Sequence, residues 1–371
     1  MNDIENIRFS IITICYNEEK TIRKTMESVL KQSWNNFEYI IVDGGSDDAT
    51  IPIAMDYAAR DNRIRWYSEK DEGIYNAMNK GIRYSGGEFL YFLNAGDLFY
   101  DTDVLKHAAN VIAQSKAEII IGKMIQDHGA GRVIHSYSVD HLRDDLSKRK
   151  IVCHQTIIAS RESLESGFQE KYVICADYDW LCRQVNAGRR IAKFDSIVVI
   201  YDSFGVSSQA QYRKKLIKES MEIAFKNFPR EALVDYNAQE KLLIQESKNR
   251  SLYIILNQWL LLKQRGIELH SYFTAKGIRE IAIYGFHLLG QRLYDELKEG
   301  PVRVKYAIDK KPAENGREIS VYHPDDTLDA VDAVVITPVF DVLEIKGALA
   351  RKMDCRMVSI EEVLSEKSRE C

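Results

Sequence analysis

Residues 88–99 read Glu88-Phe-Leu-Tyr-Phe-Leu-Asn-Ala-Gly-Asp-Leu-Phe99. Phe89 to Leu93 is a run of five bulky apolar and aromatic side chains. It has the length and composition of a strand buried on both faces of a parallel sheet. The run stops at Asn94-Ala95-Gly96-Asp97, which puts an amide, a glycine and a carboxylate at the strand's carboxyl end. In open α/β sheets that edge is where ligands bind. A carboxylate there, with an amide oxygen three residues earlier, is a grip for a hard divalent cation carrying phosphates. The same residue types also make an ordinary turn, so the flanking chain has to decide.

Upstream, Phe9 to Cys15 is a short β-rich run ending at Tyr16-Asn17-Glu18-Glu19. Ile22, Met26, Val29 and Leu30 then recur at helical spacing. Tyr39 to Val42 is a second strand, ending in Asp43-Gly44-Gly45-Ser46-Asp47-Asp48. A helix from about Ala49 to Arg60 leads to a third strand around Ile64 to Tyr67. Ser68 to Gly73 follows, then a helix carrying Asn76, Asn79 and Lys80. Strands and helices alternate, and every polar cluster falls at a strand's carboxyl end. This is the pattern of a doubly wound nucleotide-binding half.

Downstream, Ala117 to Ser138 turns to β, and Ile151 to Ser160 is a strand candidate that contains His154-Gln155. Cys175 to Arg183 opens a helix, Ile191 to Tyr201 is a strand, and Ser203 to Ser208 a loop. Gln211 to Gln264 is mostly helical and charged, broken at Pro229, with Leu252 to Leu262 its most apolar part. Arg250 and Lys263-Gln-Arg265 flank that part, which suits an inter-domain core or contact with a membrane surface. A new unit begins near Gly277, with strands at Glu280–Gly285, Val302–Ile308 and Ala333–Thr337 and a helix at Leu288–Leu297. The predicted organisation is an α/β domain over 1–208, a helical linker over 209–274 and a small Rossmann-like domain over 275–371.

Composition narrows the function classes. The chain has 371 residues, enough for two or three domains with substantial cores. With 45% hydrophobic and 29% charged residues it reads as globular. A net charge of −4 and a pI near 6.1 argue against nucleic acid as a partner. The six cysteines form no CxxC pair, so neither zinc nor a disulfide framework is indicated. Met1 to Arg8 lacks the apolar core of a signal peptide, and no run approaches the ~18 apolar residues of a membrane span. The expectation is a cytoplasmic protein.

Six segments together resemble the family-2 glycosyltransferases of the GT-A fold. They are Tyr16-Asn17-Glu18, Val42 to Asp47, Asp71 to Gly81, Phe92 to Asp97, His154-Gln155, and Ala176 to Arg183. They stand in the family's order between residues 9 and 208 and look most like the branch that builds bacterial surface polysaccharides. The resemblance implies a doubly wound mixed sheet, a nucleotide-diphosphate sugar as donor, inversion at the anomeric carbon, and Mg2+ or Mn2+. It implies a saccharide or lipid-linked saccharide acceptor, with peripheral contact at the inner face of the membrane. Carried over residue by residue, it assigns donor binding to Tyr16, Glu18, Asp43, Asp71, Gly73, Asn76, Asn79, Lys80, Asn94, His154 and Gln155.

The chemistry asks for the same residue types. A leaving nucleoside diphosphate concentrates negative charge, which a divalent cation and its carboxylate stabilise; Asp97 is the expected metal ligand. The family more often has acids where this chain has Asn94 and Gly96, so one carboxylate of the usual cluster remains. Inversion by a single displacement needs a base for the acceptor hydroxyl's proton. The resemblance puts it at Asp177, in Ala176-Asp177. Asp179 competes, but two residues apart on a helix the two do not share a face. Structural alternatives are helix capping for Asp177, a turn cap for Asp43 and packing for Tyr16.

In the C-terminal unit, Gly285-Phe-His-Leu-Leu-Gly290 with Asp309 ending the next strand mimics a dinucleotide fingerprint. His287 stands where that fingerprint has its middle glycine, and its side chain obstructs a pyrophosphate. Structural or partner docking is therefore the expected role of this unit, without NAD or NADP binding. Two other readings compete with the transferase: a non-catalytic sugar-nucleotide-binding scaffold, supported by the thinned acidic cluster, and a nucleotidyltransferase. The latter wants a Gly-rich basic loop after the first strand, where this chain has Tyr16-Asn-Glu-Glu-Lys20.

Overall fold

The structure, a computed structural model, describes residues 4, 6–127, 132–202, 210–229, 236–311 and 319–369. The predicted loop at Ser203 to Ser208 lies outside the described residues. The chain divides into two compact units, Met1–Gly205 with Lys218–Tyr236 and Val206–Ile217 with Asn237–Cys371.

In the first unit, β1 (Phe9–Cys15), α1 (Ile22–Leu30), β2 (Phe37–Asp43), α2 (Thr50–Ala58), β3 (Ile64–Ser68), α3 (Ile74–Tyr84) and β4 (Phe89–Phe92) alternate. Then come β5 (Leu98–Phe99), α4 (Val104–Ser115), β6 (Ile119–Asp127), β7 (Arg132–His135), α5 (Leu142–Ser147), β8 (Ile157–Ser160), α6 (Arg161–Leu164), α7 (Ala176–Asn186) and β9 (Ile191–Asp202). All nine strands join one sheet in the order β3-β2-β1-β4-β8-β6-β9-β5, with β7 on β6. β3, β2, β1 and β4 run parallel, whereas β8 is antiparallel to β4 and β6. The expected mixed α/β sheet is therefore present.

Every residue of β1 and β2 is buried, which is why these strands read as mostly apolar, β-rich runs. One face of the sheet packs Phe9, Ile11, Tyr39 and Tyr91 against Met26 of α1 and Leu105 of α4. Burying each such side chain is worth about 1.5–3 kcal/mol. On α3, Gly81 permits close approach to β1, since a Cβ there would lie 2.5 Å from Ile12 Cγ2. β2 and β3 add to one side of β1 and β4 to the other. The carboxyl ends of β1 and β4 thus flank the switch point where ligands bind in such sheets.

One predicted strand is shorter than its apolar pattern. Of Ile151 to Ser160, only Ile157–Ser160 pairs. The Cys153 carbonyl accepts the Thr156 N–H at 2.9 Å and the Thr156 hydroxyl at 2.7 Å, winding His154–Thr156 into a 3-10 turn. The local turn wins over β-propensity there.

The rest of the chain contributes α8 (Ala210–Asn227), α9 (Tyr236–Gln264), α10 (His270–Ala275), β10 (Glu280–Tyr284), α11 (Leu288–Leu297), β11 (Arg303–Ile308) and β12 (Val321–Tyr322). It ends with β13 (Ala333–Ile336), α12 (Val342–Leu349), β14 (Arg356–Ser359) and α13 (Ile360–Arg369). β10–β14 form a parallel sheet in the order β12-β11-β10-β13-β14. Ile255, Trp259 and Leu262 line one face of α9 and pack with Ile281, Leu293 and Val363 in this unit's core. Among the described residues no helix is long and apolar enough to cross a membrane.

Candidate active site

The turn after β4 is built from backbone outward. Asp97 N–H returns to the Asn94 carbonyl at 3.1 Å, and Gly96, in the left-handed region at φ 99°, donates its N–H to Thr25 Oγ1 at 3.0 Å. This delivers Asp97, only 3% exposed, beneath the sheet edge. Gln155 Nε2 donates to Asp97 Oδ2 at 3.1 Å, while its Oε1 accepts from the Cys153 thiol at 2.7 Å. Tyr91 on β4 donates to the Gln155 carbonyl at 2.8 Å, so the 3-10 turn is tied to β4 from below.

His154 leaves the same turn in the other direction. Its Nδ1 lies 3.1 Å from Asp177 Oδ2, and its Nε2 lies 3.2 Å from Asn94 Nδ2. A neutral imidazole facing a carboxylate carries its proton on Nδ1, which leaves Nε2 as an acceptor for the Asn94 amide. That orientation turns Asn94 Oδ1 away, and this oxygen is buried with no hydrogen-bond partner among the described residues. Asp177 Oδ1 accepts the Tyr178 N–H at 2.8 Å and the Tyr75 hydroxyl at 2.9 Å. Asp177 is thus part helix cap and part of a polar chain that reaches Asn94.

Asp179 goes elsewhere. Fully buried, it accepts Arg183 Nε at 2.8 Å and Lys226 Nζ at 3.2 Å, and so ties α7 to α8. Glu219, also on α8, accepts the N–H groups of Val173 and Ile174, each at 2.9 Å, and of Cys175 at 3.1 Å. It clamps the strand of chain that leads into Asp177. Sequence reasoning missed Tyr75 and Glu219. Tyr75 lay inside a quoted motif, but nothing in the spacing marked it, and Glu219 sits in a charged helix that carries no signal.

The remaining expected donor contacts gather at the carboxyl ends of β1, β2 and β3. Tyr16 is 61% exposed, and a Cβ on Gly44 would meet its ring at 3.5 Å and Asp71 Oδ2 at 3.0 Å. Tyr16, Gly44 and Asp71 therefore share one small space. Lys80 Nζ holds Asp71 at 2.7 Å, Glu69 at 3.2 Å and the Lys70 carbonyl at 3.1 Å. Burial favours its neutral form, yet the two acids outweigh it and keep the ammonium above its ordinary range. Asp43 Oδ2 accepts the N–H groups of Gly45 at 3.0 Å and Ser46 at 2.9 Å and the Ser68 hydroxyl at 2.7 Å. Its other oxygen takes the Ser46 hydroxyl. The carboxylate shapes the turn after β2.

Glu18 accepts the Thr21 hydroxyl and so fixes the entry to α1. Gly73 starts α3 at φ 125°, a conformation that a side chain resists. Asn76 and Asn79 point away from Asp97 and Asp177. Their amides donate to Glu170 at 3.1 and 2.8 Å, and Asn79 also brackets Phe168, donating to its carbonyl at 2.9 Å and accepting its N–H at 2.8 Å.

Among the described residues no three or more His, Cys, Asp or Glu gather into a metal site. The donors at the β4 turn still fit a hard cation. Asp97 supplies a carboxylate and Asn94 a buried carbonyl that has no hydrogen-bond partner among the described residues. A Mg2+-type ion commonly takes one or two carboxylates and fills its shell with water and substrate phosphate.

In the second unit, Gly285 and Gly290 serve packing. A Cβ on Gly290 would lie 2.2 Å from the Gly285 carbonyl oxygen, and one on Gly285 would lie 2.6 Å from Pro338. Asp309 accepts the Phe286 N–H at 2.8 Å and the Lys311 N–H at 2.9 Å. His287 stays exposed, 3.6 Å from Asp309.

Residues 10–168 match the model of Glycosyl transferase family 2. A PGL/p-HBAD biosynthesis glycosyltransferase of Mycobacterium bovis (strain BCG / Pasteur 1173P2) is 30% identical over 215 residues, 57% of this chain and 82% of that protein. Among solved structures, S. aureus TarS 1-349 in complex with UDP aligns at TM-score 0.48 and 20% identity over 66% of this chain and 71% of that one. The mannosyltransferase PcManGT from Pyrobaculum calidifontis, in complex with GDP-Man and Mn2+, aligns at TM-score 0.49 and 18% identity over 73% and 79%. With a relative of that identity covered over most of its length, this chain belongs to Glycosyl transferase family 2.

Proposed function

We propose that the protein is an inverting glycosyltransferase that moves a sugar from a nucleotide-diphosphate donor, UDP-linked, to a saccharide or lipid-linked saccharide acceptor in surface-polysaccharide synthesis. One observation carries the reading: adjacent residues of one 3-10 turn hold the two carboxylates, His154 on Asp177 and Gln155 on Asp97. A displacement that inverts the anomeric carbon needs a base on one side and charge stabilisation on the other.

In this reading the acceptor oxygen attacks the anomeric carbon as the bond to the diphosphate oxygen breaks. The acceptor proton passes to Asp177, and the nucleoside diphosphate leaves. Mg2+ or Mn2+, when bound by Asp97 and Asn94, neutralises charge on the diphosphate. Tyr16, Gly44 and Asp71 border the space for the base, and Lys80 keeps Asp71 in place. Tyr253 and Leu260, exposed on α9 near Arg250 and Lys263, suit peripheral contact with an anionic membrane carrying the acceptor. Sedimentation with phosphatidylglycerol vesicles tests that contact, and an unbound protein removes it from the proposal.

The test of function is a panel of UDP-glucose, UDP-galactose, UDP-N-acetylglucosamine and GDP-mannose, scored by release of nucleoside diphosphate with and without saccharide acceptors. Nuclear magnetic resonance of the product reads the anomeric configuration. A retained configuration, or no donor turned over or bound, overturns the proposal.

A further inference from the structure

Asp177 is held from two sides, and the two sides are not equivalent. Oδ1 receives two donors, the Tyr178 N–H at 2.8 Å and the Tyr75 hydroxyl at 2.9 Å. Oδ2 receives one, from His154 Nδ1 at 3.1 Å. A carboxylate has about four lone-pair sites, two on each oxygen. Oδ1 is full, and Oδ2 keeps one.

The Tyr75 hydroxyl has one proton and two acceptors, Asp177 Oδ1 at 2.9 Å and the Ile174 carbonyl at 2.7 Å. A charged acceptor wins such a competition, because bonds to an ionised oxygen are roughly twice as strong as neutral ones. Burial first, and then the Asp177 charge, push the phenol well above its ordinary range, so it stays protonated and acts as a donor. Once Asp177 has taken a proton its advantage is gone, and the Ile174 carbonyl becomes the better partner. Tyr75 thereby favours the ionised carboxylate before transfer and has somewhere else to donate afterwards.

Resting on the assignment of Asp177 as base, we infer that Tyr75 is a positioning residue for the transfer step. Its hydroxyl occupies Asp177 Oδ1, fixes the carboxylate's rotation, and leaves Oδ2 as the oxygen that receives the acceptor's proton. The balance is simple: the acceptor O–H breaks, an O–H forms at Asp177 Oδ2, and the Tyr75 proton remains on Tyr75 throughout. Groups around Asp177 are Cys175, which precedes α7 on the same segment, and, from elsewhere, His154 on the 3-10 turn, Tyr137 and Cys153. Burial, with the Asp177 charge adding to it, raises the last two and Cys175 above their ordinary ranges. No lysine or arginine contacts Asp177 among the hydrogen bonds of the described residues, so its side-chain donors there are Tyr75 and His154.

The experiment measures nucleoside diphosphate release from the most active donor of the panel above, across pH, in three full-length variants. Tyr75→Phe should lower kcat about 10- to 100-fold, the cost of a carboxylate no longer held in line with the acceptor hydroxyl, with donor KM unchanged. Its acid limb should move to higher pH by about one unit, since a carboxylate that loses a donor is harder to ionise. Replacing Tyr75 with 3,5-difluorotyrosine keeps the ring and strengthens the donor, so the limb should move to lower pH while the fold persists. That variant decides the matter if Tyr75→Phe does not fold. A limb unmoved by both changes overturns the inference. Asp177→Asn separates the two ideas: wild-type turnover in that variant removes the base itself, whereas loss there with no effect at Tyr75 removes only the positioning role.

Discussion

His154 Nδ1 meets Asp177 Oδ2 at 3.1 Å, and the other ring nitrogen faces Asn94 across 3.2 Å. The imidazole therefore bridges α7, which carries the proposed base, and the end of β4, which carries the proposed leaving-group site. Asp177→Asn keeps size and most hydrogen bonding but cannot take a proton. Turnover should fall roughly 10²–10⁴-fold, the contribution of a general base, while donor binding by calorimetry stays put. A variant with wild-type kcat means that α7 does not supply the base.

Asp179→Asn should behave differently. Asp179 is fully buried between Arg183 and Lys226, whose side chains remain 22% and 44% exposed. Removing the acid leaves two cations that water can reach, so the loss should be roughly 2 kcal/mol, below the 3–5 found when a stranded charge is buried. Chemical denaturation reads the stability, and the pH profile of turnover should keep its shape. A sequence view of Asp179 as a bystander on another face of the helix misses this tie to α8.

Glu219→Gln should cost both stability and rate. Its carboxylate accepts three consecutive backbone N–H groups within two to four residues of Asp177, and an amide replaces one acceptor oxygen by a donor that opposes them. Bonds to charged groups are worth about 1.5–3 kcal/mol each. A lowered melting temperature with unchanged kcat would separate the clamp from Asp177. By the same reasoning a chain ending at Ser208 carries all six motifs yet lacks Glu219, and it should be less stable than one ending at Phe273.

Much of this was legible because the signals are local. Phe9–Cys15 and Leu288–Leu297 emerge with the predicted bounds, since a short β-rich run and a helical stripe each need only neighbouring residues. The polar clusters at strand ends were legible for the same reason. Tyr75 was not: it is one of 20 tyrosines, and its partner Asp177 is 102 residues away. The Asp179–Lys226 pair spans 47 residues, and its cation lies in a helix whose charges read as a solvated face. His154 was legible as a residue type at an interesting place but not as part of a turn, because the hydrogen bonds of Thr156 that make the turn compete with a good β-sequence.

Glu38 gives the unit a defined acid limit. It is 6% exposed and accepts Ser10 Oγ at 2.6 Å, Arg65 at 2.6 Å, Arg8 at 3.2 Å and the Gly87 N–H at 3.1 Å. Burial raises its pKa, but the Ser10 and Gly86 hydrogen bonds and the two arginines outweigh burial and hold it below the ordinary 4.5. A carboxyl lowered in the folded state adds stability that is fully present above its unfolded value and is lost as pH falls through the folded one. Unfolding free energy should therefore drop as pH falls below about 4.5, and Glu38→Gln should flatten that drop. Equal slopes in the two proteins would assign the acid sensitivity to other groups.

The last prediction concerns the metal. One carboxylate and one amide carbonyl make a weak site alone, because a Mg2+- or Mn2+-type ion needs about six oxygens and keeps waters unless phosphate replaces them. Mn2+ should thus bind the free protein poorly and bind much better when UDP is present, as read by the paramagnetic resonance of free Mn2+. Asn94 Oδ1 is buried with no hydrogen-bond partner among the described residues, so Asn94→Asp places a second acid where an oxygen already stands. That change should raise affinity for Mn2+ without nucleotide, although the new carboxylate loses the amide that His154 accepts and turnover should fall. Asp97→Asn should lose both Mn2+ binding and turnover, and excess chelator should abolish turnover reversibly. Full activity in chelator, or Mn2+ affinity that ignores UDP, means that the diphosphate charge is met by other groups and that Asp97 serves only to anchor Gln155.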